Sequence, residues 1–179
     1  MWKKLQGWAI LGALLLFVSF GYRWVTARFL VPPLRIDDAE RGMEPLIIAS
    51  ETVWRLDRAI ASAADLRHGD VVVFRYPGVW KENGLIPARV AGLPGDWVSF
   101  QNGKLFRNGK EIVEAWNPKR DAVYSAFPVL VPRNHVFLLM DDRVFRFGGV
   151  PQYHDSRSLK PMPFSLLLGR MTHFSKKGA

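Results

Sequence analysis

The sequence predicts a mainly β protein, with one N-terminal transmembrane helix in an anchor of residues 1–31 and an antiparallel β domain over residues 32–179. Three observations carry this expectation. A continuous apolar run from Trp8 to Tyr22 lies between Lys3 and Lys4 on one side and Arg23 and Arg28 on the other. Beyond Pro32-Pro33 the chain breaks into short runs rich in Val, Leu, Phe and Trp, bounded by Gly, Pro, Asn and Asp, as half-buried strands are. Two Asn-Gly pairs, Asn102-Gly103 and Asn108-Gly109, flank the run KLFR, and this dipeptide is the strongest short-range hairpin signal.

Taken in order, the first element reads as a retained helix of about 20 residues, because the apolar run closes on bulky FVSFGYRW rather than on the small residues of a cleavage site. Trp8, Tyr22 and Trp24 fall at headgroup depth. Pro32-Pro33 stops the helix, since proline cannot continue it. The runs LIIASETVWRLDR, GDVVVFRYP, DWVSF, KLFR, HVFLLMDD and SLLLGRM read as strands, and residues 58–66 as a short helix or loop. The Asn-Gly pairs predict an antiparallel meander from Trp97 to about Val113. Gly92, Pro94 and Gly95 read as a turn between strands. Residues 114–128 and 143–154 read as irregular connections.

Composition narrows the function classes. At 179 residues, 49% hydrophobic and 23% charged, the chain has room for an anchor and one domain with a real core. The net charge of +9 comes from scattered Lys and Arg rather than a stripe, which argues against nucleic acid as partner. The absence of cysteine removes thiolate nucleophiles, disulfides and cysteine metal sites. No spacing in the sequence points to a metal site or a cofactor.

Four segments in order carry a resemblance. They are Gly42-Met43-Glu44-Pro45, then Gly69-Asp70-Val71-Val72-Val73-Phe74, then Arg89-Val90-Ala91-Gly92-Leu93-Pro94-Gly95-Asp96, and finally Asp155-Ser156-Arg157 with Pro161-Met162-Pro163 and Gly169-Arg170. The chain resembles the type I signal peptidase family, over nearly its whole length. The resemblance implies a signal-peptidase-type β domain, an inner-membrane location with a single span, and a domain on the extracytoplasmic side. It also implies acyl transfer by a serine and a neutral, desolvated lysine.

The same alignment of motifs shows what is missing. The nucleophile position, directly before Met43, is Gly42, which has no hydroxyl; the base position, directly before Arg89, is Ala88, which has no amine. The position of the hydroxyl that contacts the lysine, two before Asp155, is Tyr153. The position that assists the oxyanion, two before Gly42, is Glu40, whose carboxylate would oppose a developing negative charge. Met43, Pro45, Arg89, Asp155, Ser156 and Arg157 complete the supporting set that the resemblance implies. Of the histidines at 68, 135, 154 and 173, only His154 adjoins the Asp-Ser-Arg box, and Ser50, Ser99 and Ser156 are the candidate substitute hydroxyls.

Four departures together read as a dyad-lacking relative. The expected role is to bind an extended segment of a precursor, secreted or membrane protein without cutting it, with membrane lipid around the anchor. Dyad-lacking relatives that assist pilin assembly make pilin-like subunits one partner class. The alternatives are an active serine endopeptidase with an unrecognised nucleophile and base, an engineered inactive form, and a structural subunit marked by an apolar patch away from the groove.

Overall fold

The structure is a computed structural model. It describes residues 15, 17–22, 43, 52–75, 85–144, 146–147, 150–151 and 155–176, with the backbone alone for 52–55, 146–147, 150–151 and 173–176. Glu40, Gly42, Pro45, Tyr153 and His154 lie outside the described residues. Of the expected anchor, residues 15 and 17–22 are helical and the rest lies outside. Among the described residues no helix is long and apolar enough to cross a membrane.

The domain is antiparallel β, as the short apolar runs predict. Its strands are β1 (Thr52–Asp57), β2 (Val71–Arg75), β3 (Leu85–Gly92), β4 (Trp97–Gln101), β5 (Lys104–Arg107), β6 (Lys110–Glu111), β7 (Ala126–Leu130), β8 (His135–Leu139), β9 (Arg146–Phe147), β10 (Val150–Pro151), β11 (Met162–Pro163) and β12 (Leu167–Lys176). One sheet has the order β1-β12-β2-β3-β8-β11, a second the order β6-β5-β4-β7, and β9 pairs with β10. Residues 58–66 contain the expected helical turn, a 3-10 helix at Ala63–Asp65 capped by Ser62.

Three expectations are corrected. Residues 114–128 end in β7, and residues 143–154 contain the β9–β10 hairpin rather than irregular chain throughout. The third concerns β3, a strand absent from the predicted set because Pro87 and Arg89 break its apolar run.

Strand alternation sorts the core. On β2, Val72 and Phe74 face one side with Ile86, Ala88, Val90, Leu138 and Met140, and Val71 and Val73 face the other with Met43, Leu56 and Met171. The meander packs Val98, Phe100 and Leu105 against Ala91, Phe137 and Leu139. Its two tight turns have positive φ at both central residues, 50° and 73° at Asn102-Gly103 and 53° and 78° at Asn108-Gly109. That conformation matches the right-handed twist of the flanking strands, which is why the dipeptide marks it. The two sheets meet at Gly92, where a Cβ would sit 2.6 Å from Val98 Cγ2 and 3.1 Å from Phe137 Cβ, so only hydrogen fits.

Candidate functional site

The site builds outward from the end of β8. On one side, β8 pairs with β3 through Arg89↔Leu139 and Val90↔Leu138. On its other side, β11 pairs at His135 and Val136. The remaining amides on that side are met by side chains: the Leu138 N–H donates to Ser156 Oγ at 2.8 Å and the Met140 N–H to Asp155 Oδ2 at 3.0 Å. The Asp-Ser-Arg box therefore finishes a strand edge, an obligation that buried backbone donors impose. Asp155 also caps the short helix Ser156–Leu159 through the Arg157 N–H.

Charges below this edge are paired. Arg157 Nη2 donates to Asp155 Oδ2 at 2.8 Å, its Nη1 donates to the Arg143 carbonyl at 3.1 Å, and its guanidinium lies 5.6 Å from the Tyr124 ring centroid. Burial pushes the Tyr124 phenol up. Arg89 makes a two-pronged bond to Asp141, at 2.9 and 2.6 Å, donates to the Gly69 carbonyl, and lies 4.5 Å from the Trp116 ring centroid. Arg143, 2% exposed, forks onto the fully buried Glu114 carboxylate. Lys119 pairs with Asp142 at 2.9 Å. Asp141, Glu114, Arg143 and Trp116 were absent from the sequence-based set. The run Met140-Asp141-Asp142-Arg143 was the signal available for two of them, because three charges directly follow an apolar strand.

Ala88 lies immediately before this network. Its methyl is 0% exposed and packs with Val72, Phe74, Ile86, Val90, Leu138 and Met140, all apolar. Met43 is equally buried, but in the cluster on the opposite face of β2, so the two described marker residues do not touch the same core. Among the described residues, three candidate substitute groups are engaged in local structure: Ser156 Oγ on the Leu138 amide, His68 Nε2 on Asp96 at 2.7 Å, and His135 Nδ1 on the Arg133 carbonyl; Ser50, His154 and the His173 side chain lie outside them. Ser99 lies on the outer face of the meander in a pocket with Trp97 and Pro128. Among the described residues no group of three or more His, Cys, Asp or Glu is placed to hold a metal.

β2 pairs with β3 from Leu85 to Arg89, whereas β8 reaches only Arg89. Among the described residues, Leu85–Ala88 therefore has a ladder partner on one side only. Ile86–Ala88 are buried and Leu85 is half-buried, so an extended polypeptide would add to such an edge from its Leu85 end.

The turn that follows β3 has its own electrostatics. Burial alone would push the Asp96 carboxyl up, but the Leu93 N–H, His68 and Asn108 bind its charged form and hold it below the usual carboxylate range. A lowered folded pKa gives stability that is present above the unfolded value near 3.9 and lost as pH falls through the folded one. Asp96→Asn is therefore expected to flatten the acid side of the unfolding curve below about pH 4, read by denaturant titration across pH.

Residues 8–175 match the family described as signal peptidase, peptidase S26. Probable signal peptidase I-2 of Synechocystis sp. is 30% identical over 162 residues, 86% of this chain and 71% of that protein. Signal peptidase I P of Bacillus subtilis subsp. natto is 31% identical over 111 residues, 57% of this chain and 58% of its own length. Thylakoidal processing peptidase 1, chloroplastic, of Arabidopsis thaliana is 30% identical over 110 residues, 56% of this chain and 30% of its own. The chain thus spans less than two thirds of the length of the last two. A crystal structure of a signal peptidase I from Enterococcus faecalis V583 superposes with a TM-score of 0.46 at 21% identity, covering 60% of this chain and 97% of that one.

Proposed function

We propose a binding role on one premise: this chain belongs to the signal peptidase family. It holds an extended segment of a secreted or membrane protein without cutting it, as a chaperone or assembly partner tethered to the inner membrane by its N-terminal apolar run. Pilin-like subunits are within the partner class. The observation that carries this reading is the methyl of Ala88 at the position where the family chemistry needs an amine, at the end of a stretch, Leu85–Ala88, that has a ladder partner on one side only and is half-buried at Leu85. Strand addition draws its affinity from main-chain hydrogen bonds, so it survives the loss of reactive side chains. Gly42 and Ala88 supply neither the oxygen nor the nitrogen that the family chemistry uses.

The test places a photo-crosslinking residue at Leu85, the half-buried end of this one-sided stretch, in the detergent-solubilised full chain. A signal-bearing precursor is expected to crosslink there and not to a probe at Val113, which is 89% exposed on the far connection. Equal labelling at both positions, or none at Leu85, would remove the binding role.

A second reading, a structural subunit, is favoured by a separate observation. The outer face and edge of β4 and β7 expose Trp97 (50%), Phe127 (92%) and Leu130 (45%), away from the β3 edge. Exposed apolar side chains gathered on one strand pair point to an interaction site. Under this reading Phe127→Ser abolishes co-purification of a complex and leaves crosslinking at Leu85 intact.

A further inference from the structure

The Asn-Gly turns are the motifs that the binding reading leaves unused, and the fold treats them differently. An asparagine before glycine is the pair best suited to spontaneous deamidation, because the following backbone nitrogen carries no bulky neighbour. In that reaction the glycine nitrogen attacks the side-chain carbonyl carbon and a new C–N bond closes a five-membered imide. The carboxamide C–N bond breaks and its nitrogen leaves as ammonia, taking the glycine amide proton. Water then opens the imide at either carbonyl, giving aspartate or isoaspartate, with no change of oxidation state.

At Asn108 the fold restrains the carbon that would be attacked. Its Oδ1 accepts from the Trp97 backbone N–H at 2.8 Å and its Nδ2 donates to Asp96 Oδ1 at 2.9 Å. The other oxygen of Asp96 is held by the Leu93 N–H at 2.8 Å and by His68 Nε2 at 2.7 Å. The backbone here is uncrowded: a Cβ at Gly109 would meet nothing within 4 Å. At Asn102 the restraint lies on the backbone instead. The Asn102 N–H donates to Ser125 Oγ at 3.0 Å and the Gly103 N–H, whose nitrogen would attack, donates to the Tyr124 carbonyl at 2.8 Å. Gly103 also packs so closely that a Cβ would sit 2.5 Å from the Asp121 carbonyl oxygen.

We propose that Asn108 is a latched deamidation site, unreactive while Asp96 and the Trp97 amide grip its carboxamide and reactive once that clip is released, whereas Asn102 is guarded through its backbone. Conversion at Asn108 would place a second carboxylate against Asp96, replacing a hydrogen bond with like-charge repulsion. The turn it loosens lines the same pocket as Trp97, Ser99 and Pro128. Deamidation therefore alters the outer face of the meander and not the β3 edge.

The test incubates the purified full chain at neutral pH and follows each turn separately by peptide mass spectrometry with isoaspartate detection. The folded chain is expected to deamidate at both turns more slowly than the same chain in urea. Asp96→Ala is expected to speed Asn108 about fivefold, the weight of one ordinary hydrogen bond, and to leave Asn102 unchanged. Ser125→Ala is expected to speed Asn102 alone. An unchanged Asn108 rate in folded Asp96→Ala overturns the proposal. If Asp96→Ala does not fold, Ser125→Ala decides: acceleration confined to Asn102 supports separate guards, and equal acceleration of both turns, or of neither, overturns them.

Discussion

Replacing Glu114 by alanine is expected to destabilise the folded chain by about 3–5 kcal/mol, because it leaves the Arg143 guanidinium buried without its counter-charge. Glu114 has no exposed side-chain surface and Arg143 is 2% exposed, so water cannot take the place of the lost carboxylate. The loss propagates, since the Arg143 carbonyl accepts from Arg157, which in turn grips the Asp155 that finishes the edge of β8. The comparison is Lys104→Ala, which breaks the pair with Glu111 on half-exposed side chains and should cost less than about 1 kcal/mol. Equilibrium urea unfolding of both variants measures the contrast. Equal small losses would mean that the Glu114–Arg143 pair is not enclosed as described.

Ala88→Lys is the second large effect. The methyl it replaces packs among Val72, Val90 and Leu138, each with no exposed surface, so the longer chain is crowded and its ammonium is desolvated. Desolvation lowers the folded pKa below the unfolded value of about 10.4, and a depression of roughly three units corresponds to about 4 kcal/mol. The sign follows from that direction: the penalty is full at pH below the folded pKa and shrinks as pH rises toward the unfolded one. Ala88→Leu, which crowds without charge, should cost about 1–3 kcal/mol at every pH. Denaturant midpoints in neutral and alkaline buffer separate the two. A lysine held neutral by this burial is also in the form that accepts a proton, so Gly42→Ser combined with Ala88→Lys is the change that would supply both missing atoms.

Much of the fold was legible from local chemistry. The meander followed from Asn102-Gly103 and Asn108-Gly109 because positive φ at two successive residues is a property of the residues themselves. Strand β3 was not legible, because Pro87 and Arg89 interrupt its apolar pattern. The structure explains the proline: Leu85–Ala88 is paired by β2 alone among the described residues, and edges are where a strand tolerates a residue with no N–H to donate. For the site, Arg89, Asp155, Ser156 and Arg157 could be singled out from their boxes. Their electrostatic partners could not, since Arg89 meets Asp141 across 52 residues and Arg143 meets Glu114 across 29. Such pairings are set by sheet order, which no local pattern encodes.

In the proposed role this signal peptidase family member grips a polypeptide and leaves its peptide bonds intact. The most direct measurement is intact-mass spectrometry of a signal-bearing precursor after prolonged incubation with the purified full chain, prepared free of host signal peptidase, together with the mass of the chain itself. Unshortened precursor and an unmodified chain, under conditions where the Leu85 probe crosslinks, is the expected result. Shortened precursor accumulating with time, or a covalent acyl adduct on one of the chain's serines, would contradict it.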